Sequence, residues 1–176
     1  MILGVVLAGG QSTRFGSDKA LAELGGQTLL ARAYDALGGF CELVVVAGRE
    51  KGPGHVIPDW PHAGMGPLGG IAAGLRLAQD EGYEAVLSCG VDSVQLPENL
   101  LELLSPAPAY LADQPVVGLW PTASCAALER ILESGGRHSM LAFAEAAGAR
   151  AVKTKSKSAN INTPADLAAM EQSHGL

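Results

Sequence analysis

Ile2-Leu3-Gly4-Val5-Val6-Leu7 runs directly into Ala8-Gly9-Gly10-Gln11-Ser12-Thr13-Arg14-Phe15-Gly16-Ser17-Asp18-Lys19, an apolar hexapeptide that opens into a glycine-rich loop. The hexapeptide, interrupted only by Gly4, reads as a strand buried on both faces, as in a parallel sheet. A loop of this kind puts bare backbone N–H groups at the carboxyl end of the strand, where open α/β sheets bind ligands. Gly9 and Gly10 lack side chains, so an anionic group can approach the main chain closely. Arg14 and Lys19 add two cations to the same short segment, which makes it a cradle suited to a triphosphate. The same residues also fit a solvated turn whose Arg and Lys sit in salt bridges.

Familiar phosphate loops do not account for the segment. A Walker loop requires Gly, four residues, then Gly-Lys-Ser/Thr, whereas Arg14-Phe15 stands where that Gly-Lys would fall after Gly9. The dinucleotide fingerprint requires glycines at positions one, three and six, and that spacing is absent from this segment. No Gly-x-Ser-x-Gly is present either, so there is no hydrolase elbow.

The chain has 176 residues, 48% of them hydrophobic, which is most simply one domain, residues 1–176, with a sizeable core. The net charge of −6 gives a nucleic-acid partner no general electrostatic support, so a bound polyphosphate needs local cations or a metal. Cys41, Cys89 and Cys125 are far apart, and neither they nor the histidines show zinc-site spacing. Buried free thiols in a reducing compartment follow. The first apolar run is too short for a bilayer and has no basic segment before it, so a cytoplasmic protein without membrane contact is expected.

Strand-like and helix-like segments alternate along the chain. Helix spacing marks 28–37 through Leu30, Ala33, Tyr34 and Leu37, and 67–78 through Leu68, Ile71, Leu75 and Ala78. Further helices are expected over 97–104 (Pro97 at its first position), 124–133, 139–147, and after a Thr163 cap with Pro164 next and Asp166 three residues on. Strands are expected over 42–47, 55–58, 85–89, 110–112 and 116–120. Repeated βα units imply right-handed crossovers and a mostly parallel sheet with helices on both faces.

Two carboxylates fall where chemistry is expected. Asp92, in Leu87-Ser88-Cys89-Gly90-Val91-Asp92-Ser93, lies just beyond a strand end on the same sheet edge as the glycine loop. One edge carboxylate suits Mg²⁺, which is usually bound through one or two carboxylates plus phosphate oxygens and water. Asp59 follows Val56-Ile57-Pro58 and precedes Gly66-Pro67-Leu68-Gly69-Gly70, where a helix begins. Guanine offers adjacent N1–H and 2-amino donors that a single carboxylate accepts together, and cytosine has no such pair, so Asp59 favours guanine. An Asx-turn beside Pro58 and Pro61 is the alternative for Asp59, and a plain turn residue for Asp92. Asn160 and Asn162, two apart on an extended segment, point the same way; they fit one ligand or the capping of a loop.

Leu7 to Gly16, with Asp18-Lys19 after it, resembles the signature of nucleotidyltransferases that share the nucleotide-sugar pyrophosphorylase fold: Leu-Ala-(Gly/Ala)-Gly-x-(Ser/Ala)-x-Arg-(Met/Phe)-Gly, then Lys. The Leu-Ala-Gly-Gly form is most similar to the guanylyltransferases of the molybdenum cofactor; cytidylyltransferases of the same pathway more often read Leu-Ala-Ala-Gly. Ile57-Pro58-Asp59, Gly66-Pro67-Leu68-Gly69-Gly70-Ile71 and Asn160-Ile161-Asn162-Thr163-Pro164-Ala165-Asp166-Leu167 extend the resemblance over nearly the whole chain. It implies a three-layer α/β/α Rossmann-like nucleotidyltransferase fold with a mostly parallel central sheet. It also implies transfer of GMP from GTP to molybdenum-molybdopterin, with pyrophosphate released.

Carried onto this sequence, the resemblance makes Arg14, Lys19 and Asp92 catalytic, with Asp92 on the Mg²⁺ cofactor. It places Leu7, Ala8, Gly9, Gly10, Lys19, Asp59 and Asp92 against GTP, and Asn160 and Asn162 near the second substrate. It further implies transient contact with other cofactor-synthesis proteins or molybdoenzymes. The chain departs from the family in two places. Ser93-Val94 stands where x-Pro is common, and Ala47-Gly48-Arg49 where Asn is frequent. Cytidylyl transfer to the same cofactor, nucleotidyl transfer to a phosphosugar, and a nucleotide-binding regulatory module remain the alternatives.

Overall fold

β1 (Ile2–Leu7) has a hydrogen-bonded neighbour on each side, and its alternating side chains serve both faces of the sheet. Leu3 and Val5 enter one core and Val6 the other, which is why the run is apolar throughout. The computed structural model describes residues 1–9, 18–93, 95–136, 138–154 and 163–174.

Among these residues a seven-stranded sheet runs in the order β5 (His55–Ile57), β4 (Leu43–Ala47), β1, β6 (Ala85–Gly90), β8 (Gln114–Pro121), β7 (Ala109–Leu111), β9 (Arg150–Val152). Only β8 runs against the rest: it pairs antiparallel with β6 and β7, while the other neighbours are parallel. A separate hairpin, β2 (Glu23–Leu24) and β3 (Gln27–Thr28), turns through Gly25 and Gly26 at φ 62° and 79°. Two consecutive positive φ angles fit the twist of a two-residue hairpin and require residues without a Cβ.

Helices cover both faces. α1 (Leu29–Gly38) and α3 (Leu100–Leu104) lay Leu30, Ala33, Leu37, Leu100 and Leu104 against one side. α2 (Pro67–Glu81), α4 (Cys125–Glu133) and α5 (Met140–Ala147) cover the other with Leu68, Ile71, Leu75, Leu128 and Phe143. α6 (Pro164–His174) packs Leu167 and Met170 against Leu24 and Leu29. Its first turn closes a reciprocal box: Thr163 N–H donates to Asp166 at 3.0 Å and Asp166 N–H to the Thr163 hydroxyl at 3.1 Å.

α2 approaches the sheet closely because its inward face is partly glycine. A Cβ at Gly74 would stand 2.5 Å from Val5 Cγ2, and one at Gly70 would stand 2.6 Å from Leu7 Cδ2. The buried Trp120 indole donates to Ser88 Oγ at 3.0 Å, and Ser88 donates to the Val116 carbonyl at 2.7 Å, so these core polar groups are partnered.

The expected alternation holds, with three differences. The helix expected over 97–104 is only Leu100–Leu104, because Pro97 to Asn99 form a turn that Leu100 N–H closes onto the Pro97 carbonyl at 3.1 Å. One helical turn is enough to set Leu100 and Leu104 together on the core. The β2–β3 hairpin is additional, its strands being too short for periodicity to register. β9 is also additional: Val152 alone is buried in it, while Arg150 and Ala151 are exposed.

Candidate active site

β1, β4, β5 and β6 run parallel, so their carboxyl ends share one edge. The register aligns Leu7 with Ala47 and Gly90, and Ala47 with Ile57. The next residues along each strand therefore leave the sheet at one level: Ala8-Gly9, Gly48-Arg49, Pro58-Asp59 and Val91-Asp92. Gly66, at φ 72°, and Pro67 start α2 beside them.

The first two of these loops touch through main chain. Ala8 N–H donates to the Ala47 carbonyl at 2.9 Å. A Cβ on Gly48 would stand 2.7 Å from the Gly9 nitrogen, and one on Gly9 would stand 2.9 Å from the Gly48 carbonyl oxygen. Gly48 also sits at φ 90°, where side chains are strained. Gly9 is thus needed for a close approach of the Gly48 main chain, a packing reason that the sequence reading, which left the space to an anion, did not include.

Asp59 is half-buried between those glycines and α2. Its Oδ1 lies 3.6 Å from the Cβ position of Gly48 and 3.7 Å from that of Gly70, and its Cβ lies 3.1 Å from that of Gly69. The next residue is fixed by the Trp60 N–H bond to the Gly69 carbonyl at 3.1 Å. Loss of water around Asp59 raises its pKa above the ordinary carboxylate value. Such a carboxylate gains from a ligand that restores two N–H donors.

Across the edge, Lys19 Nζ stands 3.7 Å from Asp92 Oδ2, the two side chains 15% and 28% exposed, so the loop's distal cation meets the β6 carboxylate directly. Asp92 Oδ1 lies 2.8 Å from where a Gly90 Cβ would be, so the carboxylate occupies space that only glycine leaves open. Ser93 N–H donates to the Gly90 carbonyl at 3.4 Å and closes the turn that carries Asp92.

Sequence reasoning missed one element of the site. Arg49 donates to both Asp18 oxygens, at 2.8 and 3.4 Å, and through Nε to the Lys51 carbonyl at 3.0 Å. Asp18 in turn accepts from Ala20 N–H at 3.2 Å and caps the turn that begins with Lys19. The hydrogen-bonded Arg49 guanidinium holds the Asp18 carboxyl below its usual pKa. This pair spans 31 positions, and no local pattern announces it.

Gly10, Arg14, Asn160 and Asn162 lie outside the described residues. Leu7, Ala8, Gly9, Lys19, Asp59 and Asp92 all fall on the shared edge. The cysteines are free; burial raises the Cys41 and Cys125 thiols to about 12 and raises Cys89 as well, so none is a thiolate nucleophile near neutrality. Among the described residues no group of three or more His, Cys, Asp or Glu is placed to hold a metal, and no helix is long and apolar enough to cross a membrane.

A mostly parallel α/β sheet that gathers Gly9, the Lys19–Asp92 pair and the desolvated Asp59 carboxylate on one edge is laid out as a nucleotide site of the nucleotidyltransferase class, and comparison with known proteins shows that class. Residues 4–155 match the MobA-like NTP transferase domain, and the chain belongs to that family. It is 38% identical to the molybdenum cofactor guanylyltransferase of Acidiphilium cryptum over 95% of this chain and 92% of that protein. With the enzyme of the same name from Rhodobacter capsulatus the identity is 36%, over 97% and 95%. Molybdopterin-guanine dinucleotide biosynthesis protein A from Archaeoglobus fulgidus shares the fold at a TM-score of 0.79, with 21% identity and 98% of each chain covered.

Proposed function

We propose that this protein transfers GMP from GTP to the terminal phosphate of molybdenum-molybdopterin, forming the guanine dinucleotide cofactor and releasing pyrophosphate. The acceptor phosphate oxygen attacks the α-phosphorus of GTP, and the bond from that phosphorus to the β-phosphate oxygen breaks. No covalent enzyme intermediate is needed, so the protein's task is to position the two reactants and neutralise charge.

The observation that carries the reading is the placement of Asp59 and the Lys19–Asp92 pair at opposite ends of one edge. Asp59 accepts the N1–H and 2-amino donors of guanine. The backbone of Ala8-Gly9 lets the phosphates lie close to the strand end. Lys19, whose ammonium is a compact charge, moves from its carboxylate partner to the α-phosphoryl and departing pyrophosphate oxygens, where charge builds up. Arg14 adds a second cation from the same loop. Asn160 and Asn162 bind the incoming phosphate.

An edge carboxylate such as Asp92 suits Mg²⁺, which needs few protein ligands when phosphates and water supply the rest. Asp92 would hold it there, and when bound it neutralises charge on the phosphate oxygens. We place the protein in the cytoplasm, and transient contacts with other cofactor-synthesis proteins or molybdoenzymes would deliver its substrate and accept its product.

Nucleotide-dependent thermal shift tests the base assignment. GTP with Mg²⁺ should raise the melting temperature more than CTP, ATP or UTP, since a ligand at 100 times its Kd adds about 2.7 kcal/mol. Equal shifts with GTP and CTP would remove guanine selectivity. Pyrophosphate release with GTP, Mg²⁺ and molybdopterin tests the reaction. Lys19→Ala should lower its rate by about 10²–10³-fold while GTP affinity changes much less.

A further inference from the structure

β8 is the reversed strand, so its first residue, Gln114, lies at the same edge as the carboxyl end of its antiparallel neighbour β6. Backbone pairing between β6 and β8 ends at Ser88 and Gly118. Extending that register puts Gln114 level with Asp92, just where β6 has turned away into the Gly90–Ser93 turn. Side chains continue the connection. Ser93, 1% exposed, donates its hydroxyl to Gln114 Oε1 at 2.6 Å, and Gln114 is itself only 4% exposed.

This bond is a poor device for stability. The Gln114 amide nitrogen is buried without a hydrogen-bond partner among the described residues, and an orphaned buried donor is costly. Two apolar groups of similar shape would hold the strands together at least as well. A hydroxyl–amide bond does what an apolar contact cannot: it fixes the direction and distance of one group relative to another. The group it fixes is the residue after Asp92, in a turn whose other end is closed onto Gly90 and whose carboxylate rests against the bare Gly90 Cα.

We propose that Gln114 is a positioning residue for Asp92, acting through the Ser93 hydroxyl and the Gly90–Ser93 turn. It aims the Asp92 carboxylate at the space shared by Lys19 and the phosphates. The proposal rests on the role assigned to Asp92 above. Outer partners that orient a metal-binding carboxylate commonly matter 10–100-fold for metal affinity or activity, about what a misplacement near 1 Å costs.

The test is the double variant Ser93→Ala/Gln114→Met, compared with Asp92→Ala and with the two combined. Three quantities are measured: melting temperature, kcat and KM for pyrophosphate release, and the ratio of GTP Kd without and with Mg²⁺ by calorimetry. The double variant should melt at or above the native temperature, because both polar partners leave together. Its kcat should fall about 10–100-fold, and the gain in GTP affinity from Mg²⁺ should shrink. Adding the pair to Asp92→Ala should change neither quantity further. Ser93→Thr, which keeps the hydroxyl, should recover most of what Ser93→Ala alone loses.

If Asp92→Ala shows both losses and the double variant shows neither, Gln114 is structural and the proposal falls. If Asp92→Ala itself leaves kcat and the Mg²⁺ ratio unchanged, the role of Asp92 fails first and the proposal with it. Should the double variant not fold, Ser93→Ala against Ser93→Thr decides on the same readouts.

Discussion

Asp59 illustrates how one carboxylate can make base preference depend on pH. Desolvation raises its pKa in the free protein, so its ionised form opposes the folded state there. The stability tied to its neutral form is complete below the unfolded pKa and is lost as pH rises through the higher folded value. If Asp59 takes guanine as proposed, the paired donors favour its charged form, so binding GTP and losing that proton are linked. GTP affinity should therefore fall as pH drops through the raised pKa of Asp59, above the ordinary value of 3.8, while CTP affinity stays nearly flat. Calorimetric titrations across weak acid would show it, and Asp59→Asn should remove the slope and the preference together. Asp18 has the opposite sign: its Arg49 partner lowers the pKa, so their pairing persists above the unfolded value and is lost as pH falls through the folded one. Arg49→Ala should cost stability under about 1 kcal/mol, since Asp18 is half exposed. Because Asp18 caps the turn that begins with Lys19, the same change should slow turnover by up to about 100-fold. Steady-state kinetics should also show that Arg49→Ala and Asp18→Asn are less than additive. Strictly additive losses would separate the pair from Lys19.

Elements differ in how plainly the sequence announces them, and α2 lies at the clear end. Leu68, Ile71, Leu75 and Ala78 recur at helical spacing, Pro67 suits a first turn, and all four apolar side chains are buried. The close contact its glycines make with the sheet was not read from the sequence, because helical spacing marks the apolar positions and not the bare ones. Gly74→Ala gains about 1 kcal/mol of helix propensity but forces a methyl to 2.5 Å from Val5, overpacking that typically costs about 1–3 kcal/mol. A lower denaturant midpoint with an unchanged slope is expected; a higher midpoint would mean that α2 shifts outward freely. β1, β4 and β6 were equally readable, because strands covered on both faces are apolar for most of their length, broken here only by Gly4, Ser88 and Gly90. β9 was not, since it has one buried residue, and the two-residue strands of the hairpin offer no period to detect. The same contrast holds in the site. Lys19, Asp59 and Asp92 were legible because each follows a recognisable strand or loop. The Asp18–Arg49 and Ser93–Gln114 pairs join residues 31 and 21 positions apart, and only the folded chain brings them together.

For the molecule as a whole, one sheet separates two cores, and β1, β4 and β6 contribute side chains to both. Neither layer of helices can leave without exposing the same strands. We therefore expect residues 1–176 to unfold as a single unit, with far-ultraviolet dichroism and the fluorescence of buried Trp120 following one transition. GTP with Mg²⁺ should move both signals together. Two separable transitions would mean that a part of the chain folds by itself. The net charge of −6 also works against a polyphosphate ligand, so the proposed binding of GTP needs local cations such as Lys19.

The main-chain contact between Gly9 and Gly48 constrains how such a protein can diverge. Neither position can acquire a side chain while the other strand end stays where it is. Mutational drift at either is therefore blocked unless both loops are rebuilt in concert. A side chain at either site comes only with movement of the other strand end, so the two loops vary as a pair rather than one at a time.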